Sequence, residues 1–411
     1  MKNGLAKKKR LGIMVAVTLT ALLLVTACAP GPTTPAGEGK VVTIGFTAPL
    51  TGYGSSQEQV LLNGMLDYVR YFNEEGHIPG VTVEVAWDDS GIAVDRFMSA
   101  IERFKERGIF AMYSDQTFGL DARQAAIERD QIPMFVGNPS KEYVYPPGWY
   151  YFRAPTWGEQ FTGFAQYIME NWQEERPPKL ALILVDSQFG RQAIPEGAEY
   201  AESLGIEMLP TEFVPYVVLD ATVQLLRVDE GGADFVYLSG VVPTSGPIMR
   251  DAERLGLLDH IQFGALEPAS GALLIEMAGA ASEGFLTPKT LPSLDETEVP
   301  GVKLMLDKQM EYHGKVGKQT DYVAGWTAGA IMCEAIRKAV EQVGYANLNG
   351  PAVKEGYDSI KGFDVDGIAN ITYNPPDDHR GSSKVAVYQV REGNMVRVGD
   401  WRDVPILVPE E

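Results

Sequence analysis

Residues 41–72, VVTIGFTAPLTGYGSSQEQVLLNGMLDYVRYF, carry the pattern on which the fold turns. An apolar run from Val42 to Ala48 gives way to a loop rich in Gly, Thr and Ser, and Leu62, Met65, Leu66, Val69 and Phe72 then recur at helical spacing. A short apolar run reads as a buried strand, and the three-and-four spacing reads as a helix with one apolar face. The alternation continues downstream. Further strands are predicted at Val81 to Trp87, Ile109 to Tyr113, Pro133 to Val136, Leu180 to Val185, Glu207 to Val214, Phe235 to Leu238 and Gln262 to Leu266, and Val94, Phe97, Ile101 and Phe104 mark a second helix. Strands alternating with helices build parallel sheets through right-handed crossovers. The stretch past residue 40, close to 370 residues, exceeds what one core supports, so two α/β lobes are expected.

Upstream, Lys2, Lys7, Lys8, Lys9 and Arg10 precede an apolar run from Leu11 to Val25. This is the layout of a secretory signal peptide, and its apolar core falls short of the roughly 20 residues of a membrane span. Val25-Thr26-Ala27-Cys28 resembles a bacterial lipobox, so residues 1–27 are expected to be removed and Cys28 to carry lipid. The plainer alternative is a secretory signal that ends in a chance Cys. Residues 28–40 read as a flexible tether, because Ala29 to Lys40 (APGPTTPAGEGK) has no apolar periodicity. Such a coil reaches on the order of 20 Å.

Removing residues 1–27 takes away five positive charges and no negative ones, which moves the formal charge from −20 to −25. A chain this acidic repels nucleic acid. Once the lipobox uses Cys28, Cys333 has no partner, so no disulfide framework or Cys-based metal site is available. Cys333 lies in the apolar stretch AIMCEAI and is expected to be a buried, inert thiol. His77, His260, His313 and His379 are scattered without metal-ligand spacing, and no metal or other cofactor is implied. The sequence has no Gly-x-Ser-x-Gly elbow, no Walker loop and no His-Glu-x-x-His, so it does not read as an enzyme. Asn370-Ile371-Thr372 matches a glycosylation sequon that bacterial export makes incidental.

In open parallel sheets, ligands gather at the carboxyl ends of strands. Several of those ends are polar: TAPLTG at 47–52, WDDS at 87–90, SDQT at 114–117, GNPS at 137–140, VDSQFG at 185–190 and LEP at 266–268. This ordered set, together with Phe152-Arg153-Ala154-Pro155, Ala233 to Leu238, Asp378-His379-Arg380-Gly381, Val387 to Val390 and Asp400-Trp401, resembles the type I periplasmic binding proteins. The branch it resembles contains the leucine/isoleucine/valine-binding and the amide- or urea-binding proteins. The resemblance covers essentially the whole mature chain. It implies two Rossmann-like lobes joined by three crossings, with residues 41–154 plus 289–362 in the first lobe and 155–288 plus 363–411 in the second.

The same resemblance implies the site. Thr117 and Ser140 fall where hydroxyls hold a ligand carboxylate, with Asn138 supplying backbone contacts, and short hydroxyls beside loop amides suit an anion. Both residues suit helix caps equally. Glu267 matches the position that accepts a ligand ammonium; the alternative is a solvated or hinge-bound acid. Phe189 stands where amino-acid binders often place Tyr, which makes the wall more apolar. Trp157, Tyr53 and Ser55 complete the candidate lining, Trp157 fitting a buried hinge position as well. Asp88 and Asp89 fit loop caps better than ligand contacts, and Tyr322 and Trp326, four apart on a helix, fit the core better than a pocket.

The function implied is an extracytoplasmic, lipid-anchored, monomeric substrate-binding protein of an ABC importer. It would deliver an amino acid, branched-chain or similar, to a permease. An amide, urea or small carboxylate as ligand is the alternative within that class. A ligand sensor reporting to a signalling partner and a lipid-anchored hydrolase are the competing classes; no effector segment or nucleophile motif in the sequence supports either.

Overall fold

The computed structural model describes residues 39–52, 55–91, 93–115, 120–317, 319 and 321–408. Cys28 with the signal and most of the tether, Tyr53 and Thr117 lie outside the described residues. The first half of the chain alternates β1 (Lys40–Ala48), α1 (Ser55–Glu74), β2 (Val81–Asp89), α2 (Val94–Glu106), β3 (Ala111–Ser114), α3 (Leu120–Asp130), β4 (Met134–Val136), α4 (Lys141–Val144) and β5 (Tyr150–Tyr151). These five strands form one parallel sheet in the order β2-β1-β3-β4-β5.

The chain then crosses at 152–155 and repeats the pattern. It forms α5 (Trp157–Asn171), β6 (Lys179–Val185), α6 (Glu196–Ser203), β7 (Glu207–Met208), β8 (Glu212–Val214), α7 (Thr222–Glu230), β9 (Phe235–Ser239), α8 (Val242–Arg254), β10 (Gln262–Ala265), α9 (Ala272–Ala278) and β11 (Leu286–Lys289). It returns through α10 (Pro300–His313), α11 (Asp321–Val343), α12 (Gly350–Asp358), β12 (Phe363–Asp364) and β13 (Asn370–Ile371) before closing with β14 (Lys384–Arg391), β15 (Asn394–Arg397) and β16 (Arg402–Asp403). The second sheet runs β15-β14-β11-β10-β9-β6-β7, with β8 and β16 added on β6 and β14. Its β14–β15 hairpin is antiparallel.

Alternation along each strand explains why both sheets are covered on both faces. In β1, β3 and β4, the residues Val42, Ile44, Phe46, Tyr113 and Phe135 pack toward α1 and α11, whereas Met112, Met134 and Val136 pack toward Phe97, Ile101 and Phe104 of α2. In β6, Ala181, Ile183 and Val185 face α7 and α8, and Leu180, Leu182 and Leu184 face Phe161 and Phe164 of α5. Tyr322 and Trp326 are core residues: Trp326 stacks on Tyr71, and the Tyr322 hydroxyl donates to Asp67. Cys333 is fully buried, and burial pushes its thiol pKa up.

Two expectations change. The run Glu207 to Val214 is not one strand but β7 and β8, split at Leu209-Pro210-Thr211, because Pro210 has no N–H to give the ladder. Residues 363–373, assigned from sequence to the second lobe, instead place Val365, Ile368, Ile371 and Tyr373 in the first-lobe core, so the third crossing comes at 379–383. Four apolar residues without strand or helix periodicity gave no sign of which core they would join.

The crossings lie against one another. Phe152 N–H donates to the His379 carbonyl at 2.9 Å, and the Tyr373 hydroxyl donates to the Phe152 carbonyl at 2.8 Å. The Arg153 guanidinium donates to Thr290 Oγ1 at 2.9 Å, which ties the first crossing to the second. Next to them Glu159, fully buried, accepts from Thr156 N–H, from the Tyr145 hydroxyl and from Leu407 N–H, and pairs with Arg380 at 3.1 Å. One carboxylate thereby joins the first lobe, helix α5, the third crossing and the C-terminal segment.

Candidate functional site

Parallel pairing brings the loops after neighbouring strands to one edge. Thr47 pairs with both Asp88 and Ser114 in register, so the loops after β1, β2 and β3 open side by side. Five ionisable residues that sequence reasoning did not single out are linked electrostatically near the strand ends, and one of them, Asp321, feels the charge of Glu267. Glu58 stands in the first turn of α1, Asp115 follows β3, and Asp321 opens α11. Arg153 lies on the first crossing and Lys289 ends β11.

Their electrostatics link the two lobes. Burial drives the Asp321 carboxyl up to about 6; the charge of Glu267, from the opposite lobe, and that of Asp115 add to the rise, and Lys289 opposes it. Burial also raises Asp115 to about 6, against the attraction of Arg153 and a hydrogen bond with the Tyr113 hydroxyl. Glu58 is raised well above the usual carboxylate range by burial, then by Asp115 and Asp321. Among the described residues Glu58 Oε2 and Asp115 Oδ1 have no hydrogen-bond partner of their own, while the Tyr113 hydroxyl bonds the Asp115 carboxyl. Gly137 makes room for part of this arrangement, since a Cβ there would lie 2.1 Å from the Tyr113 hydroxyl and 2.2 Å from Asp115 Oδ1.

Glu267 is half-buried at the start of a single 3-10 turn after β10 and makes no side-chain hydrogen bond or ion pair among the described residues. Asn138, Ser140, Trp157 and Phe189 form a patch beside the first crossing. Ser140, 3 % exposed, donates to Glu142 and accepts from Gln192 Nε2 at 3.2 Å; it precedes α4 without a side-chain capping bond. Asn138 Oδ1 accepts from Trp157 Nε1 at 2.5 Å, and Trp157 meets Phe189 edge-on at 6.3 Å between ring centroids. This patch joins first-lobe Asn138, Ser140 and Lys141 to second-lobe Trp157, Gln192 and Glu196, with Lys141 and Glu196 ion-paired at 2.8 Å. Ser55 is half-buried at the N-terminus of α1. Asp89 is committed to its own loop, accepting from Leu50 N–H, Gly91 N–H and Thr51, and Asp88 pairs with Arg103 on the surface.

The histidines are engaged individually: His260 with Asp229 at 2.8 Å, His313 with Asp67 at 2.7 Å, and His379 with the Tyr150 carbonyl at 2.9 Å. Among the described residues no three His, Cys, Asp or Glu side chains come together as a metal site. None of the described helices is long and apolar enough to cross a membrane.

Two α/β lobes, three adjacent crossings and ionisable groups from both lobes at the strand ends define the class of two-lobed ligand receptors that enclose a small molecule between domains. The periplasmic binding protein family model matches residues 41–394, and the chain belongs to that family. It is 24 % identical over 250 residues to a Leu/Ile/Val-binding protein homolog 1 of Brucella suis biovar 1, a match spanning 60 % of this chain and 66 %, just under two thirds, of that relative. A branched-chain amino acid ABC transporter protein of Thermus thermophilus with bound valine has a TM-score of 0.78 at 24 % identity, over 89 % of this chain and 97 % of that one. The fatty acid ABC transporter substrate-binding protein of Thermomonospora curvata has a TM-score of 0.78 at 18 % identity, over 90 % and 95 %. Relatives named for valine and for fatty acid share one fold, so the ligand must be argued from the residues of the site.

Proposed function

We propose that this chain is the substrate-binding component of an ABC importer. In this reading it is exported, held outside the cytoplasmic membrane through lipid on Cys28, and monomeric. It closes its lobes on an amino acid or a close amine-bearing analogue and passes it to a permease without chemical change. The observation that carries the ligand assignment is the pair Glu267 and Asp321, two carboxylates on opposite lobes within reach of each other's charge. Like charges oppose closure, whereas an ammonium between them relieves the repulsion and supplies each with a donor. Lys289, whose charge acts on Asp321, and Arg153, whose charge acts on Asp115, suit a ligand carboxylate. The Leu/Ile/Val-binding relative and the valine-bound structure support the same class.

A thermal-shift screen against amino acids, short amides and small carboxylic acids tests this. Ligand at 100 times its dissociation constant adds about 2.7 kcal/mol of stability. Shifts confined to molecules without an amine would overturn the amino-acid reading and put an amide, urea or carboxylate in its place.

A further inference from the structure

Lys289 is the last residue of β11 and is only 3 % exposed, yet its ammonium makes no hydrogen bond or ion pair among the described residues. It lies 5.1 Å from the centroid of the Tyr388 ring. An ammonium needs acceptors for its N–H groups, which a ring face supplies only weakly, and a buried charge without a partner is costly. The carboxylate on the far side of that ring is already spent: Glu296 accepts from the Tyr388 hydroxyl, from Ser293 N–H at 2.8 Å and from Arg397 at 3.0 Å. Asp321, the acid on which the charge of Lys289 acts, forms no ion pair with it.

The backbone places Lys289 at the edge where ligands gather. Strands β10 and β11 run parallel with Gly264 opposite Leu286, and three residues further along each chain stand Glu267 and Lys289. Opposite charges thus end neighbouring strands without pairing with each other. The residue after Lys289 is tied down, since Thr290 accepts from Arg153 of the first crossing at 2.9 Å. Ser140, the hydroxyl to which the sequence assigns a ligand carboxylate, gives its one proton to Glu142 and so has none to offer an anion.

We propose, resting on the reading of this cleft as the ligand site, that Lys289 is the residue that binds the ligand's carboxylate, and that the ligand is therefore a free carboxylic acid. An amino acid is the form that also answers Glu267 on the next strand. An amide, ester or urea brings no anion and leaves the buried ammonium as it stands. An inorganic anion would answer Lys289 but bring nothing to Glu267.

The test is calorimetry on the full chain at neutral pH with L-leucine, L-valine, their C-terminal amides, 4-methylpentanoate and inorganic phosphate. The amino acids are expected to bind about tenfold or more tighter than their amides, the loss of one charge-assisted hydrogen bond. Amides that bind as tightly as the acids would overturn the inference and leave the amine-binding reading standing. If 4-methylpentanoate binds as tightly as leucine, the inference stands and the amine-binding reading falls. Phosphate binding tighter than every carboxylate would make an inorganic anion the occupant and overturn the inference, as would no binding of any probe. Lys289→Met keeps the length of the side chain and removes its charge. It should weaken the best acid about tenfold or more and leave the amides unaffected. Equal weakening of acid and amide would mark a general disturbance of the cleft and count against the assignment. The melting temperature of the unliganded variant is a second measurement. It should equal or exceed that of the parent, because an apolar residue replaces a buried charge that has no partner. A lowered melting temperature would show that Lys289 serves the fold through a partner of its own, and the inference would fall.

Discussion

At the level of single residues, Glu267 combines partial burial, no side-chain partner among the described residues, and a like charge opposite in Asp321. A charge-assisted hydrogen bond contributes about 1.5 to 3 kcal/mol, so Glu267→Gln should weaken binding of the best amino acid roughly 10-fold to 150-fold by calorimetry. Parent-like affinity would remove the ammonium contact. Glu159 has a different task. Glu159→Ala would strip the buried Arg380 of one of its two carboxylates, and breaking such a pair costs about 3 to 5 kcal/mol. Denaturant unfolding should show that loss, and a loss under 1 kcal/mol would count against the junction described here. Glu267 was legible in the sequence because it follows an apolar strand at the position to which the family resemblance assigns a ligand ammonium. Asp115 sat in a strand end already noted, yet Thr117 beside it drew the attention. Glu58 and Asp321 read as ordinary acids of a first helical turn, and nothing local reveals that helices starting more than 260 residues apart bring them together.

Among the elements, α1 and α11 pack backbone against backbone. A Cβ on Gly325 would lie 1.9 Å from the Leu61 carbonyl oxygen, and one on Gly64 would lie 2.3 Å from that of Tyr322. Backbone occupies both places, so the helices must separate to admit a methyl group. Overpacking of this kind costs about 1 to 3 kcal/mol, and the contact is with rigid backbone. Gly325→Ala should lower the thermal midpoint by several degrees, and an unchanged midpoint would mean that the helices do not pack this closely. The strands with long apolar runs were legible, as was the apolar face of α1. The two-residue strands β12 and β13 were not, since so short a hairpin carries no periodicity and its apolar residues join a core formed by distant helices. The break between β7 and β8 was signalled by Pro210, which the apolar reading passed over.

For the whole molecule, the two-lobed plan was readable from the alternation of strands and helices, but the division of the final segment was not, because crossing points depend on which core a segment joins. Export and anchoring rest on residues 1–28. Mass spectrometry of the membrane fraction should find an acylated N-terminal Cys28 peptide; an unmodified N-terminus elsewhere or a retained leader would reject the anchor. In the proposed function a ligand between the lobes closes them by motion at the crossings. Small-angle X-ray scattering of the full chain, with and without a saturating concentration of the amino acid that gives the largest thermal shift, tests it most directly. The bound state should have a smaller radius of gyration, and an unchanged radius at saturation would rule out closure.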